Sequence, residues 1–142
     1  MKLYLLNALI TPFDTEISES AFFAVKKVSK NEYEEIFRIA LKQKFEVVSV
    51  IGHESTVEFM KLILSDDLRD YVKYARTEIN LDEGDLALVI RVKVRGDHIR
   101  EHSLEDLKDY YSADKLEFLT LSRIYNPELV FKPIVVAGGE ND

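Results

Sequence analysis

An apolar run, a short polar turn and a helix-like run follow one another in the middle of this 142-residue chain. Residues 45–50 read as a strand and residues 57–64 have helical spacing, so residues 51–56 connect a strand to a helix. Ser55 and Glu58 have the spacing of a capping box, which predicts that the helix starts at Ser55. This unit restricts the chain to folds in which helices pack on a β-sheet.

The remaining elements repeat these two patterns. Strands are predicted at residues 2–9, 21–28, 45–51, 71–81, 86–94 and 116–122, and helices at residues 30–43, 55–64 and 104–111. Ser29 and Ser103 are the expected N-caps of the first and third helices. The polar turn at 82–85 is expected to join two long strands as a hairpin. The order of elements predicts an α+β fold, with a central mixed β-sheet flanked by helices in a single domain.

Composition limits the kinds of partner. The chain is 46% hydrophobic and 32% charged, as in ordinary soluble proteins, and no apolar run reaches the roughly 18–20 residues of a membrane span. The absence of cysteine excludes disulfides and thiolate metal sites and fits a cytoplasmic protein. A net charge of −7 argues against binding long duplex nucleic acid, but a few arginines in one pocket suffice for a small anion.

His53 is the leading candidate for chemistry, because imidazole transfers protons near neutral pH. The helix N-terminus beside it offers N–H groups and partial positive charge to a phosphate, an arrangement suited to metal-free phosphodiester cleavage. The alternative is a structural histidine bonded to a carbonyl. The turn starts like a zinc-protease helix, but Val57 stands where the second histidine belongs. Three histidines without cysteine disfavour a transition-metal site, so no metal or cofactor is expected.

Basic residues within strand-like segments have two interpretations. Arg76 and Arg95 either lie on solvated strand faces or reach a pocket and donate bidentate hydrogen bonds to phosphate oxygens. Arg91 and Lys93 share a face with Arg95 by the period of two, and that face is either solvated or ligand-facing. Asn7 either hydrogen-bonds the backbone at a bend or contacts a base or sugar.

The remaining polar candidates stand in turns. Ser55 and Thr56 act as helix caps or offer hydroxyl and N–H groups to a phosphate. Asp97 and His98 follow Gly96 in a predicted turn, where polar side chains are common in any case.

Four segments together resemble a known family. In chain order they are Tyr4-Leu5-Leu6-Asn7-Ala8, Ile51-Gly52-His53-Glu54-Ser55-Thr56, Arg76-Thr77-Glu78-Ile79 before Glu83-Gly84-Asp85, and Ala87-Leu88-Val89-Ile90 leading to Arg95. With these segments the chain resembles the type III anti-CRISPR ring nucleases, viral and prophage proteins with host-encoded relatives. The likeness divides the chain into a ring-nuclease-like domain at 1–124 and a C-terminal extension at 125–142, partly frayed.

The resemblance implies a twofold homodimer that binds cyclic tetra-adenylate in a cleft across its interface. This ring is the second messenger of type III CRISPR systems, and its destruction switches off the ancillary nucleases. In the family a ribose 2′-hydroxyl attacks the adjacent phosphate without a metal ion, and the products are linear adenylates ending in 2′,3′-cyclic phosphate. The expected location is the cytoplasm, that of the host cell if the protein is viral.

The resemblance also implies roles for residues. His53 corresponds to the general acid, and Arg95 to an arginine that binds or orients the phosphate. The substrate-binding set is Asn7, Gly52, Glu54, Ser55, Thr56, Arg76, Asp97 and His98. The turn after Arg95 departs from the family pattern, which leaves open whether Asp97 or His98 supplies the second catalytic group.

Three other functions fit the same sequence. The chain could bind the ring and sequester it without cleavage, or act as a regulatory protein on duplex nucleic acid, which the net charge of −7 disfavours. It could also be a metal-independent nuclease acting on linear RNA.

Overall fold

The computed structural model describes residues 1–17, 20–93 and 102–124. The elements are β1 (Lys2–Leu6), β2 (Phe22–Val28), α1 (Lys30–Lys42), β3 (Glu46–Val50), α2 (Glu54–Ile63), α3 (Asp66–Arg69), β4 (Leu86–Val92), α4 (Leu104–Ser112) and β5 (Leu116–Ile124). They form one domain, and its class is the predicted α+β. In the described part of the chain, no helix is long and apolar enough to cross a membrane.

The five strands form one mixed sheet in the order β2-β5-β4-β1-β3. Strand β1 lies parallel to both β3 and β4, whereas β5 is antiparallel to β4 and to β2. The carboxyl ends of β3, β1 and β4 therefore meet at the same end of the sheet. In open sheets with parallel strands, this is the end where ligands bind.

The helices pack on one face of the sheet. The core on this face includes Leu3, Leu5, Leu88 and Ile90 from the sheet, Tyr33, Phe37 and Ala40 from α1, and Met60 and Leu64 from α2 and its end. A smaller cluster of Phe59, Leu107 and Leu116 packs α2 against α4. The alternate strand residues, including Tyr4, Leu6, Val89 and Leu121, point to the other face, where Leu81, Leu9 and Ile79 cover them. Among the described residues, two irregular segments, one with Leu9 and one with Ile79 and Leu81, cover this face.

Two of the predicted helix caps are confirmed in full. The Ser29 hydroxyl accepts from the Glu32 N–H at 3.0 Å, and the Glu32 carboxylate accepts from the Ser29 N–H at 3.0 Å. The same reciprocal pair joins Ser103 and Asp106 at the start of α4. Local sequence determines both helix starts because each cap satisfies N–H groups that have no partner within the helix.

The predicted strand at residues 71–81 is wrong. Within the described part of the chain, its only ladder contact is an isolated parallel bridge between Tyr74 and Ile51. Its apolar residues belong to different clusters, since Val72 packs under the helices and Leu81 packs on the opposite face of the sheet. The segment passes from one layer to the other, so its apolar spacing does not reflect the two faces of a strand.

The hairpin predicted around residues 82–85 is therefore wrong as well, although the turn itself is present. The Asp85 N–H donates to the Asp82 carbonyl at 3.1 Å, and Gly84 has a φ of 84°, which favours glycine. The turn joins an irregular segment to β4. The short helix α3, Asp66–Arg69, was not predicted because four residues are too few to show a helical period.

The hydroxyl of Tyr33 provides a first prediction. Its side chain is fully buried, and among the described residues its hydroxyl has no hydrogen-bond partner; burial raises the pKa of Tyr33. Because a buried hydroxyl without a partner is costly, we expect Tyr33→Phe to leave the free energy of unfolding unchanged or raise it by up to about 1 kcal/mol in urea denaturation.

Tyr4→Phe is the matched control. The Tyr4 hydroxyl donates to the Asn80 carbonyl at 3.1 Å, so its removal should lower the free energy of unfolding by about 1 kcal/mol. A loss of the same size in both variants would mean that the Tyr33 hydroxyl does have a partner.

Candidate functional site

A cavity of about 600 Å³ opens beyond the carboxyl ends of β1 and β4. Its floor is apolar and includes Phe59, Ile90 and Leu107. Its polar lining comes from elements that are far apart in the sequence: the end of β1, the start of α2, the residue after β4 and the segment before α4. The polar side chains include Asn7, His53, Thr56, Lys93 and His102. The cavity therefore collects residues that are far apart in the sequence at the ligand-binding end of the sheet.

His53 stands at the N-cap position of α2 with extended backbone, φ −139° and ψ 130°. Its carbonyl accepts from the Val57 N–H at 3.2 Å, and its side chain makes no capping hydrogen bond. The imidazole is partly exposed and lines the cavity. The side chain predicted to move protons therefore lies beside the N-terminal turn of the helix and faces open space.

The predicted capping box of Ser55 and Glu58 is wrong, because α2 begins one residue earlier, at Glu54. The Ser55 hydroxyl instead donates to the main-chain carbonyl of His102 at 2.6 Å. This contact ties the first turn of α2 to the residue before the Ser103 cap of α4. A tertiary hydrogen bond has taken the hydroxyl that the local pattern assigned to a cap.

The Gly52 peptide is held from two sides. Its N–H donates to Asn7 Oδ1 at 3.3 Å, and its carbonyl accepts from Arg76 Nε at 3.0 Å. The first of the two interpretations of Asn7, a backbone hydrogen bond, is thus realised. Asn7 also lines the cavity. The peptide immediately before His53 is positioned by side chains from two other segments.

Arg91 and Glu117 form an ion pair at the mouth of the cavity. They face each other across β4 and β5, and Arg91 Nε donates to Glu117 Oε2 at 2.9 Å. Both residues line the cavity together with Lys93. Arg91 and Lys93 therefore line the cavity, and the interpretation that their face meets a ligand stays a prediction. The cavity carries two cations, one carboxylate and two imidazoles in a chain whose net charge is −7.

The other predicted site residues are distributed differently. Thr56 is buried and lines the cavity, whereas Glu54 is exposed in the first turn of α2. Arg76 is exposed and stands behind Gly52, outside the lining of the cavity. Arg95, Asp97 and His98 lie outside the described residues. Within residues 1–17, 20–93 and 102–124, no group of three or more His, Asp or Glu side chains is arranged to hold a metal ion.

His102 and Glu117 are polar cavity residues that were not predicted from the sequence, and His102 is the one with an imidazole. It immediately precedes the N-cap of α4, much as His53 stands at the start of α2. The ring of Tyr110 contacts its ring edge-on, with centroids 5.2 Å apart and an interplanar angle of 88°. The available signal was a second histidine at the start of a helix, but only the packing of α2 on α4 brings the two together.

A mixed five-stranded sheet with helices on one face and a cavity at the parallel strand ends places the chain among the small α+β proteins. The family described as STIV B116-like matches residues 3–116, and the chain belongs to this family. Among solved structures, it is similar to B116 of Sulfolobus turreted icosahedral virus (STIV), with a TM-score of 0.58 and 22% identity over 86% of this chain and 99% of that chain. Comparison with curated proteins gave no match.

These matches agree with the viral part of the resemblance described above. At 22% identity the likeness to the viral structure concerns the fold, and function must be argued from the site.

Proposed function

We propose that this protein is a ring nuclease that cleaves cyclic tetra-adenylate without a metal ion and so switches off the nucleases that this messenger activates. The observation that carries the proposal is the position of His53, which lines a cavity at the N-terminus of α2 together with the basic residues Arg91 and Lys93. A proton donor, a helix N-terminus and two cations suit the cleavage of a phosphodiester.

The proposed reaction is an internal transfer. The ribose 2′-oxygen attacks the adjacent phosphorus and loses its proton, the bond from phosphorus to the 5′-oxygen breaks, and His53 donates a proton to that departing oxygen. The product is a linear adenylate with a 2′,3′-cyclic phosphate. Holding the 2′-hydroxyl in line with the leaving oxygen supplies several kcal/mol of the required barrier reduction, and general acid catalysis adds about 10²–10⁴-fold.

The size of the cavity supports a shared site. Clefts of about 300–1,000 Å³ hold drug-sized ligands. A ring of four nucleotides is considerably larger than such a ligand, so a cavity of about 600 Å³ can hold only part of it. A twofold homodimer would present two such cavities to the opposite halves of a ring that has its own twofold symmetry.

The charge distribution supports a small anionic ligand. The chain carries 26 acidic and 19 basic residues, and its net charge repels long nucleic acid, whose binding depends on extended basic surfaces. Arg91 and Lys93 place positive charge where the ligand phosphates would lie.

The deciding experiment is incubation of the full chain with cyclic tetra-adenylate, followed by chromatography. We expect linear adenylates ending in 2′,3′-cyclic phosphate, in unchanged yield when EDTA is present. Cyclic hexa-adenylate and a linear oligo-adenylate serve as comparison substrates for ring size and for ring specificity. Loss of cleavage in EDTA, restored by Mg²⁺ or Mn²⁺, would contradict the metal-free scheme.

A second outcome would identify the alternative function. If the ring stays intact overnight but binds saturably, the protein is a sequestering protein instead of an enzyme. The departure of the turn at residues 95–99 from the family pattern is the observation that favours this alternative.

Gly52→Ala tests whether the ring approaches the backbone before His53. An added Cβ would lie 3.8 Å from the nearest Arg76 atoms, an ordinary contact, so the fold should be unaffected. Because the added methyl group would lie on the Arg76 side of the peptide, and Gly52 is not among the residues that line the cavity, we expect both thermal unfolding and the affinity for cyclic tetra-adenylate to change little. A loss of affinity of about tenfold or more would instead place the bound ring against the Gly52 peptide.

A further inference from the structure

We infer that His102 is the second proton-transfer residue of this site and accepts the proton of the attacking 2′-hydroxyl. The inference rests on the proposed function, and it assigns the step that His53 does not perform. Its basis is that two imidazoles from different helices line one cavity.

The main chain of His102 is fixed next to the start of α2. Its carbonyl accepts from the Ser55 hydroxyl at 2.6 Å, and Ser55 is two residues from His53. The hydrophobic cluster of Phe59, Leu107 and Leu116 holds α2 and α4 together beneath this contact. The two histidines therefore stand just before two helices whose relative position is set by the core.

The ring of His102 is also oriented. Tyr110, two turns into α4, contacts it edge-on with centroids 5.2 Å apart. The ring is partly exposed and belongs to the cavity lining. A packed, partly exposed imidazole can reach a ligand without losing its orientation, as a proton-transfer residue requires.

Two imidazoles complete the proton balance of the reaction. His102 takes the proton from the 2′-hydroxyl as the bond between that oxygen and phosphorus forms. His53 gives a proton to the 5′-oxygen as its bond to phosphorus breaks. The two rings exchange their protonation states in one turnover, and transfer of a proton between them through solvent restores the starting state.

Among the described lining residues, Glu117 is the other candidate base. Its Oε2 accepts from Arg91 Nε at 2.9 Å, and the pair lies across β4 and β5. This carboxylate is engaged in holding the arginine, whereas the His102 ring contacts the uncharged ring of Tyr110 and lines the cavity. The geometry therefore assigns the base to His102.

A ring with sulfur in place of the bridging 5′-oxygen separates the two roles. A thiolate leaves without protonation, so such a substrate needs no general acid but still needs a base. In single-turnover cleavage of the natural ring, we expect His53→Ala and His102→Gln each to be slower by about 10²–10⁴-fold. With the sulfur-substituted ring, His53→Ala should approach the parent rate while His102→Gln stays slow.

Two controls exclude a merely structural role. His102→Phe keeps an aromatic ring against Tyr110 and, like every substitution there, keeps the carbonyl that Ser55 contacts, but it cannot accept a proton. It should unfold at the parent temperature and be as slow as His102→Gln. Both variants should bind an uncleavable 2′-deoxy ring with parent affinity.

The outcomes are distinguishable. Three results would overturn the assignment while the ring nuclease function stands. His102→Gln could cleave the natural ring at the parent rate, or it could recover the parent rate with the sulfur-substituted ring. Its affinity for the 2′-deoxy ring could also fall by the same factor as its cleavage rate. Failure of the parent chain to cleave any ring would overturn the proposed function itself, and the assignment with it.

Discussion

Replacing His53 by alanine is expected to slow single-turnover cleavage of cyclic tetra-adenylate by about 10²–10⁴-fold while leaving ring affinity nearly intact. The reason is that the imidazole acts on the departing oxygen, whose negative charge develops only in the transition state, so ground-state binding does not depend on it. Rapid-quench kinetics with enzyme in excess measures the rate, and titration with a 2′-deoxy ring measures the affinity.

His53→Asn is the matched control for helix structure. His53 makes no side-chain capping bond, so alanine should cost α2 little, and asparagine is a favoured N-cap residue that should preserve or strengthen the helix start. Both variants should lose the rate to the same extent. Cleavage at the parent rate by either variant would remove His53 from the mechanism.

Replacing Glu34 by alanine is expected to lower the free energy of unfolding by about 2–3 kcal/mol. Glu34 is only 4% exposed and binds the Lys30 ammonium as well as the N–H and hydroxyl of Ser65. It thereby connects α1 to the junction of α2 and α3. Its removal leaves the Ser65 donors without their partner. Urea denaturation measures the loss.

Glu35→Ala is the matched control, because it makes the same change of charge one position further along the same helix at an exposed side chain. Its effect should stay within about 0.5 kcal/mol. Equal losses in the two variants would mean that charge or helix propensity, and not the buried contacts, explains the result.

The contribution of Glu34 should also depend on pH. Burial opposes ionisation, but hydrogen bonds from Lys30 and Ser65 outweigh it and hold the pKa of Glu34 below its ordinary value. A lowered pKa gives stability that is present above the unfolded-state value of about 4.3 and is lost as the pH falls through the folded-state value. The difference in stability between the parent and Glu34→Gln should therefore narrow as the pH falls from about 5 to about 3. A constant difference would contradict the ionised, hydrogen-bonded carboxylate.

Much of the fold could be predicted because its signals are local. The capping boxes at Ser29 and Ser103 satisfy helix N-termini within a few residues, and the strand patterns reflect the alternation of buried side chains. The segment at 71–81 could not be assigned correctly, because its apolar residues serve both faces of the sheet in turn. The start of α2 shifted for a similar reason, since a distant carbonyl, that of His102, takes the Ser55 hydroxyl.

The site residues with local sequence signals could likewise be predicted, whereas those that depend on contacts between distant segments could not. His53 could be selected from its own strand–turn–helix context, and its place in a cavity followed. The role of Arg91 stayed ambiguous, since alternation gives a face but not what covers it. His102 was missed because its proximity to His53 depends on the packing of α2 against α4, which no short stretch of sequence encodes.

The two hydrogen bonds that hold the Gly52 peptide have a consequence for how activity is lost on heating. Asn7 and Arg76, 45 and 24 residues away, hold this peptide through one hydrogen bond each, and the Arg76 segment lies at the sheet edge, where the Tyr74–Ile51 bridge and the hydrogen bonds between Ser49 and Lys73 attach it to β3. Local unfolding of a segment at the edge of the sheet costs less free energy than global unfolding. Warming should therefore switch off any function of the neighbouring imidazole before spectroscopic probes of the sheet register a transition.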